Sequence, residues 1–111
     1  MVSDDQIAVY EHPNPHMKSF CFSEPICPPR VEAFRSPFSH STREKMKGFG
    51  NIGAGVVQDL LGIPGIIEIR TRPKEILLKK DRTASWEDIV PRAYEILQRA
   101  LRKQRIHLVK R

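Results

Sequence analysis

The chain has 111 residues, of which 40% are hydrophobic and 29% are charged, and its formal net charge is +6. This length favours one domain with one modest core, and the absence of any run of about 20 apolar residues excludes a membrane-spanning helix. The acidic first residues lack the basic and apolar regions of a secretory signal peptide, so we expect a cytoplasmic protein whose two cysteines stay reduced.

The first third of the chain is predicted to be extended. Residues 7–10 and Met17–Phe22 have the composition of two strands, and prolines fix the turn between them. Alternation along the second strand puts one set of side chains on each face: Lys18, Phe20 and Phe22 against Met17, Ser19 and Cys21. Residues 31–34 are predicted either as a weaker third strand or as an extended segment that crosses the sheet edge.

The middle of the chain predicts a helix followed by a hairpin. Val56, Val57, Leu60 and Leu61 form one apolar helical stripe, after which we expect a left-handed cap at Gly62. Residues 66–71 and 75–80 then alternate around a short turn, which indicates an antiparallel hairpin. In its first run, Ile67 and Ile69 are expected on one face, and Glu68 and Arg70 on the other.

The last quarter predicts a long helix that starts with a capping-box-like Ser85 and keeps a 3.6-residue apolar period through Leu101. Pro91 falls about one turn into this helix and is expected to bend it. The predicted domain spans residues 6–103, between a flexible N-terminus (1–5) and a basic tail (104–111). The predicted fold class is α+β, a small antiparallel sheet of about four strands with two helices packed on one face.

Several short motifs follow one another in a recognisable order. They are His12-Pro13-Asn14-Pro15 through Phe20, Phe34-Arg35-Ser36-Pro37, Leu61-Gly62-Ile63-Pro64-Gly65-Ile66, the strand 75–81, and Trp86-Glu87-Asp88-Ile89-Val90-Pro91. Over about residues 7 to 101 this ordered set resembles the N-terminal domain of Nfu/NifU-type iron–sulfur cluster scaffold proteins. His16 replaces an Asn of the family's opening motif, and Ser19 stands where the family usually has Lys.

The resemblance implies an accessory or interaction domain rather than the scaffold chemistry itself. The family's cluster-binding Cys-x-x-Cys belongs to a separate C-terminal domain, and this sequence contains no Cys-x-x-Cys. Iron binding is therefore a property of the family and not of these residues. We expect no catalysis and no intrinsically bound cofactor, and any association with iron or an iron–sulfur cluster would be indirect, through a partner.

Basic residues near the hairpin and at the end of the last helix are the candidates for docking a protein partner, either an iron–sulfur assembly protein or a client protein. They are Arg70, Arg72, Lys74, Arg99, Arg102 and Lys103. A small nucleic-acid-binding module is the alternative, with salt-dependent affinity. Aromatic residues are few, and Phe20, Phe22 and Phe34 are predicted to lie in the core rather than to stack on bases.

Gly48, Gly50 and Gly53 match the G-x-G-x-x-G pattern of a dinucleotide-binding loop. The preceding residues 41–47 are polar and cannot form the buried strand that this motif requires. A less demanding interpretation is that the three glycines form an anion-binding loop, in which flanking basic residues could hold a phosphate or an acidic partner.

A metal site built from Cys21, Cys27 and His16 is chemically conceivable, since thiolates and imidazole suit zinc or iron. The spacing matches no compact metal knuckle, and neighbouring prolines constrain the loop. The alternative is that Cys21 packs as a small apolar side chain and Cys27 is a loop thiol. No sequence pattern indicates a catalytic nucleophile, so the sequence predicts no enzyme.

Overall fold

The computed structural model describes residues 7–36 and 39–109, the last five of these as backbone only. The predicted N-terminal segment, residues 1–5, lies outside the described residues. The elements in chain order are β1 (Ile7–Glu11), β2 (Met17–Phe22), β3 (Glu32–Arg35), α1 (His40–Lys45), α2 (Asn51–Leu61), β4 (Ile66–Arg72), β5 (Glu75–Lys80) and α3 (Trp86–Val109). The fold is α+β, as predicted.

The strands form one antiparallel sheet in the order β1-β2-β5-β4-β3. The sheet thus has five strands where the sequence predicted about four, because residues 32–35 pair fully with β4 at one edge. The short helix α1 is an addition to the two predicted helices. It has six residues and begins at Ser39, whose side chain accepts a hydrogen bond from the Thr42 amide.

One face of the sheet packs against α2 and α3 and forms the core. Across this face Phe20 lies opposite Ile76, and Leu78 lies opposite Ile69. All four are fully buried, as is Leu97 of α3. The opposite face, called here the open face, carries the cross-strand row Tyr10, Ser19, Leu77, Arg70 and Ala33. Phe20, Phe22 and Phe34 are core residues, which confirms that prediction.

The hairpin β4–β5 forms where predicted, but the expected alternation along β4 is wrong at its start. Ile67 is 41% exposed, whereas Glu68 is 5% exposed. The cause is a shift in the β4–β5 register between Ile66 and Glu68, a bulge that inserts one extra residue and interrupts the alternation. On the open face Glu68 forms ion pairs with Arg70 and Arg35, and their guanidinium groups balance the negative charge of its carboxylate.

Helix α2 buries the predicted stripe of Val56, Val57, Leu60 and Leu61. The expected left-handed cap at Gly62 is wrong: Gly62 has φ −78°, an ordinary right-handed conformation. The chain instead continues through tight turns, and the left-handed residue is Gly65, with φ +97°. A Cβ on Gly65 would lie 2.5 Å from the Ala84 side chain, so close packing also requires glycine there.

Helix α3 begins after Ser85, whose hydroxyl accepts a hydrogen bond from the Glu87 amide at 3.1 Å. Pro91 lies inside the helix without ending it. The helix continues to Val109, so residues 104–109, expected as part of a tail, are helical; no Gly or Pro follows Pro91 to stop it. Among the described helices, none combines the length and apolar composition needed to cross a membrane.

Candidate functional site

A proline-rich loop leaves β2 and lies beside the β4–β5 turn. The Phe22 amide donates to the Lys74 carbonyl and the Ile26 amide donates to the Pro73 carbonyl, each at 3.0 Å. Ile26 and Cys27 are buried, while Pro28 is half-buried. The loop 25–29 is therefore held as a fixed wall next to the hairpin turn, although it contains no regular secondary structure.

A glycine-rich turn faces this wall and leads into α2. Gly48 and Gly50 have φ +79° and +86°, a region that side chains rarely adopt. Between them Phe49 turns inward, where it is 3% exposed and makes an edge-on contact with Phe34 at 5.3 Å between ring centroids. Gly50 is the N-cap residue of α2 and supplies no side-chain hydrogen bond to the helix.

The third glycine of the predicted anion loop has a different environment. Gly53 lies within α2 and is buried. A Cβ built on it would lie 2.8 Å from the Ile26 carbonyl oxygen and 3.0 Å from the Phe49 ring. Gly53 thus allows the loop to pack directly on the helix, whereas Gly48 and Gly50 remain exposed. Anion binding by this turn stays a prediction.

These segments enclose a groove of about 1190 Å³, which we call the proline groove. Residues 25–29 and 73–74 line it together with the glycine turn 48–53 and residues 103–104 of α3. Most of the lining side chains are apolar, and among the described residues that line the groove none carries a carboxylate.

Among the residues that the structure describes, Lys74 and Lys103 are the charged ones in the lining of the proline groove. Lys74 comes from the hairpin turn and Lys103 from the last turns of α3, and both are exposed. Neither makes an ion pair or side-chain hydrogen bond with any residue that the structure describes. Two lysines without a described ion-pair partner therefore border one largely apolar groove.

The other predicted docking residues lie elsewhere. Arg70 and Arg72 project from the open face, where Arg70 Nε donates to Glu68 Oε2 at 2.7 Å and Arg72 Nη1 lies 3.7 Å from Glu75 Oε1. Arg99 pairs with Glu95 on α3 and borders a small cleft against α2 that Lys103 shares. Arg102 is exposed and lines neither cavity. The predicted docking residues are therefore divided among three places: Lys74 and Lys103 line the proline groove, Arg99 and Lys103 line the small cleft, and Arg70 and Arg72 lie on the open face.

The two cysteines lie on different surfaces. Cys27 is 7% exposed and lines the proline groove, and burial raises the pKa of its thiol to about 12. Cys21 is half-buried on the open face, with its Sγ 3.7 Å from the Ser19 hydroxyl.

His16 lies at the opposite end of β2, in the turn after β1, and its Nδ1 is buried without a hydrogen-bond partner. In the part of the chain that the structure describes, no three His, Cys, Asp or Glu side chains come close enough to hold a metal ion. Cys21, Cys27 and His16 are therefore not brought together into the metal site considered from the sequence.

Ile26 and Phe49 help to build the site but were not predicted to do so from the sequence. One local signal was present: Phe49 lies between two glycines, a pattern that lets an aromatic side chain turn into the core. The contact of Ile26 with Gly53 had no such signal, because it depends on how the loop crosses the helix.

The fold of this chain is similar to the folds of several solved structures. The chain is similar to protein SAV1430 from Staphylococcus aureus (17% identity, TM-score 0.62, covering 83% of this chain and 98% of that one). It is also similar to a NifU-like protein from Saccharomyces cerevisiae (15% identity, TM-score 0.64, covering 87% and 78%). A protein from Staphylococcus epidermidis aligns at 18% identity and TM-score 0.52, covering 84% and 94%. No protein-family model and no curated protein sequence matches this chain.

Proposed function

We propose that this chain is a non-catalytic interaction domain related to iron–sulfur cluster assembly, which docks a protein partner in the cytoplasm. The fold likeness to a NifU-like protein and the ordered motifs of the sequence support the connection with iron–sulfur proteins. The observation that carries the docking role is the convergence of Lys74 and Lys103 on the proline groove without a carboxylate partner among the described residues.

The groove has the two properties that a docking surface requires. Its exposed lysines attract an acidic partner and orient it during approach, and its apolar lining gains free energy when the partner displaces water. Exposed charges act mainly on the association rate and on specificity, whereas the apolar contacts slow dissociation. Together these two effects allow the domain to bind a partner without catalysing a reaction.

The domain associates with iron or a cluster only through that partner. Its two cysteines lie on different surfaces, and among the described residues no three His, Cys, Asp or Glu side chains come close enough to hold a metal ion. A cluster or an iron ion would therefore remain on the ligands of the partner protein, and the domain itself would bring no cofactor. Its contribution would be to hold the cluster-carrying or cluster-accepting protein in place.

The test measures binding of purified Cys-x-x-Cys proteins of iron–sulfur assembly, from the same organism, by calorimetry at two salt concentrations. The double variant Lys74→Glu/Lys103→Glu is expected to bind one of them about tenfold more weakly, equivalent to about 1.4 kcal/mol. The matched control is Arg82→Glu/Arg92→Glu, which changes the net charge equally at two exposed positions away from the groove.

The control is expected to bind like the wild type. Equal weakening by both double variants would mean that only overall charge matters, and the absence of binding to every cluster protein would reject the proposal. Tighter binding to RNA than to any of these proteins, with a steep salt dependence, would favour the nucleic-acid alternative.

A further inference from the structure

We infer that the proline groove holds an extended peptide segment of the partner, with apolar side chains in the groove and acidic side chains at Lys74 and Lys103. This inference rests on the proposed docking function and specifies the chemistry of the docked segment. It follows from the lining of the groove, from its size and from the positions of its two charges.

The lining of the groove is mostly apolar. Prolines at positions 25, 28, 29 and 73 supply apolar rings and have no backbone N–H to donate. Ile52 adds a half-buried aliphatic side chain from the first turn of α2. A segment that fills this groove gains most from leucine-like side chains, since the free energy gained on burial grows with the apolar area removed from water.

The open shape of the groove favours a chain segment over a single small molecule. Its volume of about 1190 Å³ is only slightly above the roughly 300–1000 Å³ of pockets that enclose a drug-sized ligand, but the groove is open to solvent and would leave much of such a ligand uncovered. The groove is bordered by the loop, the hairpin turn, the start of α2 and the end of α3. An extended segment crossing between these elements contacts all of them at once.

The two lysines determine the charge of the segment. They approach the groove from different elements, and none of the described lining residues offers a carboxylate to compensate them. The proline wall cannot donate hydrogen bonds, and among the described donors of the lining only these ammonium groups carry a positive charge, so they are the groups that attract carboxylates of the partner. A nucleic acid fits less well, because Phe49 is 3% exposed and presents no ring face for stacking on a base.

The experiment places a fluorescent reporter inside the groove. Asn51, exposed and in the groove lining, is replaced by Cys in a Cys21→Ser background and labelled with an environment-sensitive fluorophore. The matched control is the same label at Gln58→Cys, exposed on α2 but outside the groove. Cys27 stays unlabelled because it is buried and its pKa is about 12.

The probe is a synthetic ten-residue peptide with two leucines flanked by glutamates. It is compared with one peptide in which serine replaces leucine and with another in which lysine replaces glutamate. We expect a blue shift from the label at position 51 and none at position 58. Both altered peptides, and the Lys74→Glu/Lys103→Glu protein, are expected to require at least tenfold higher peptide concentrations for half-maximal shift.

Four results would overturn the inference. One is no shift from the position-51 label, and another is equal binding of the serine peptide, which would indicate charge attraction alone. An equal shift with inorganic phosphate would indicate a simple anion site. A shift that grows with protein concentration in the absence of peptide, together with a dimer in sedimentation, would indicate that a second copy occupies the groove.

A groove-blocking variant separates this inference from the proposed function. Asn51→Trp fills the groove mouth from an exposed position without changing charge. If the inference is correct, this variant loses at least tenfold in affinity for both the peptide and the partner protein. Loss of peptide binding with unchanged partner binding would reject the groove while the docking function stands. Peptide binding with no partner binding by the wild type would reject the docking function alone.

Discussion

The Ile26 carbonyl oxygen lies so close to Gly53 that a Cβ on the glycine would be 2.8 Å from it. Contacts this short between a side-chain carbon and backbone do not occur without displacement of one of them. The loop 25–29 can therefore lie on α2 only because residue 53 has no side chain. This contact sets one wall of the proline groove, and with it the position of Cys27.

Replacing Gly53 with Ala is expected to destabilise the protein even though alanine favours helices. The helical gain of up to about 1 kcal/mol is outweighed by overpacking against a backbone atom, which typically costs about 1–3 kcal/mol. We expect a net loss of about 1 kcal/mol in urea unfolding followed by circular dichroism. Gly55→Ala is the control in the same helix, because its Cβ would meet nothing within 4 Å; it should be neutral or stabilising. Similar losses at both positions would contradict the close contact at Gly53.

Alanine substitutions at Gly65 and Gly48 distinguish the cost of backbone strain from the cost of crowding. Both residues have positive φ, but only Gly65 is closely packed. Gly48→Ala places its Cβ in open space and is expected to lose only the strain of a left-handed residue, about 1–2 kcal/mol. Gly65→Ala adds a contact of 2.5 Å with the Ala84 side chain, so its loss should be larger, about 2–4 kcal/mol in all. Urea midpoints of the two variants provide the comparison, and equal losses would show that the Ala84 contact relaxes freely.

Elements with a regular apolar period were predictable from the sequence, whereas those that depend on pairing register were not. The alternation in β5 places Ile76 and Leu78 in the core, and the stripe of α2 is buried as predicted. In β4 the bulge between Ile66 and Glu68 exposes Ile67. A bulge arises from the fit between neighbouring strands, so the pattern of one strand does not encode it.

The candidate site was predictable only in part for a similar reason. Lys74 and Lys103 were both identified as docking residues, but only as members of a larger basic set. Their convergence depends on the path of α3 across the sheet and on the loop 25–29, which carries no periodic signal. Conversely, Arg70 and Arg72 belong to the same sequence cluster as Lys74, yet strand alternation directs them to the open face, where glutamates accompany them.

Trp86 connects the start of α3 to the turn after β1. Its indole N–H donates to the Pro15 carbonyl at 2.9 Å, and Lys18 and Lys80 place their ammonium groups 5.4 and 5.9 Å from its ring centroid. Trp86→Phe removes the hydrogen bond and weakens the cation–π contacts, so we expect a loss of about 1–2 kcal/mol in urea unfolding followed by circular dichroism. Lys80→Met keeps the indole hydrogen bond but removes one of the two cation–π contacts, together with a hydrogen bond of 3.4 Å to the Asp81 carbonyl, and should lose less. An unchanged midpoint for Trp86→Phe would show that this bond contributes nothing to stability.

Cys27 should make stability fall at alkaline pH. Burial raises the pKa of its thiol from 9.0 to about 12 in the folded protein, so between these values the folded state keeps a proton that the unfolded chain releases. The stabilisation is fully present well below pH 9 and declines as pH rises towards 12, with a loss of about 1.4 kcal/mol by pH 10. Between pH 8 and pH 10 the free energy of unfolding of the wild type should therefore fall by this amount more than that of Cys27→Ala. The variant keeps all other titrating groups. Parallel pH profiles for the two proteins, or rapid reaction of Cys27 with a thiol reagent at pH 8 in the folded Cys21→Ser variant, would contradict a buried, protonated thiol beneath the groove.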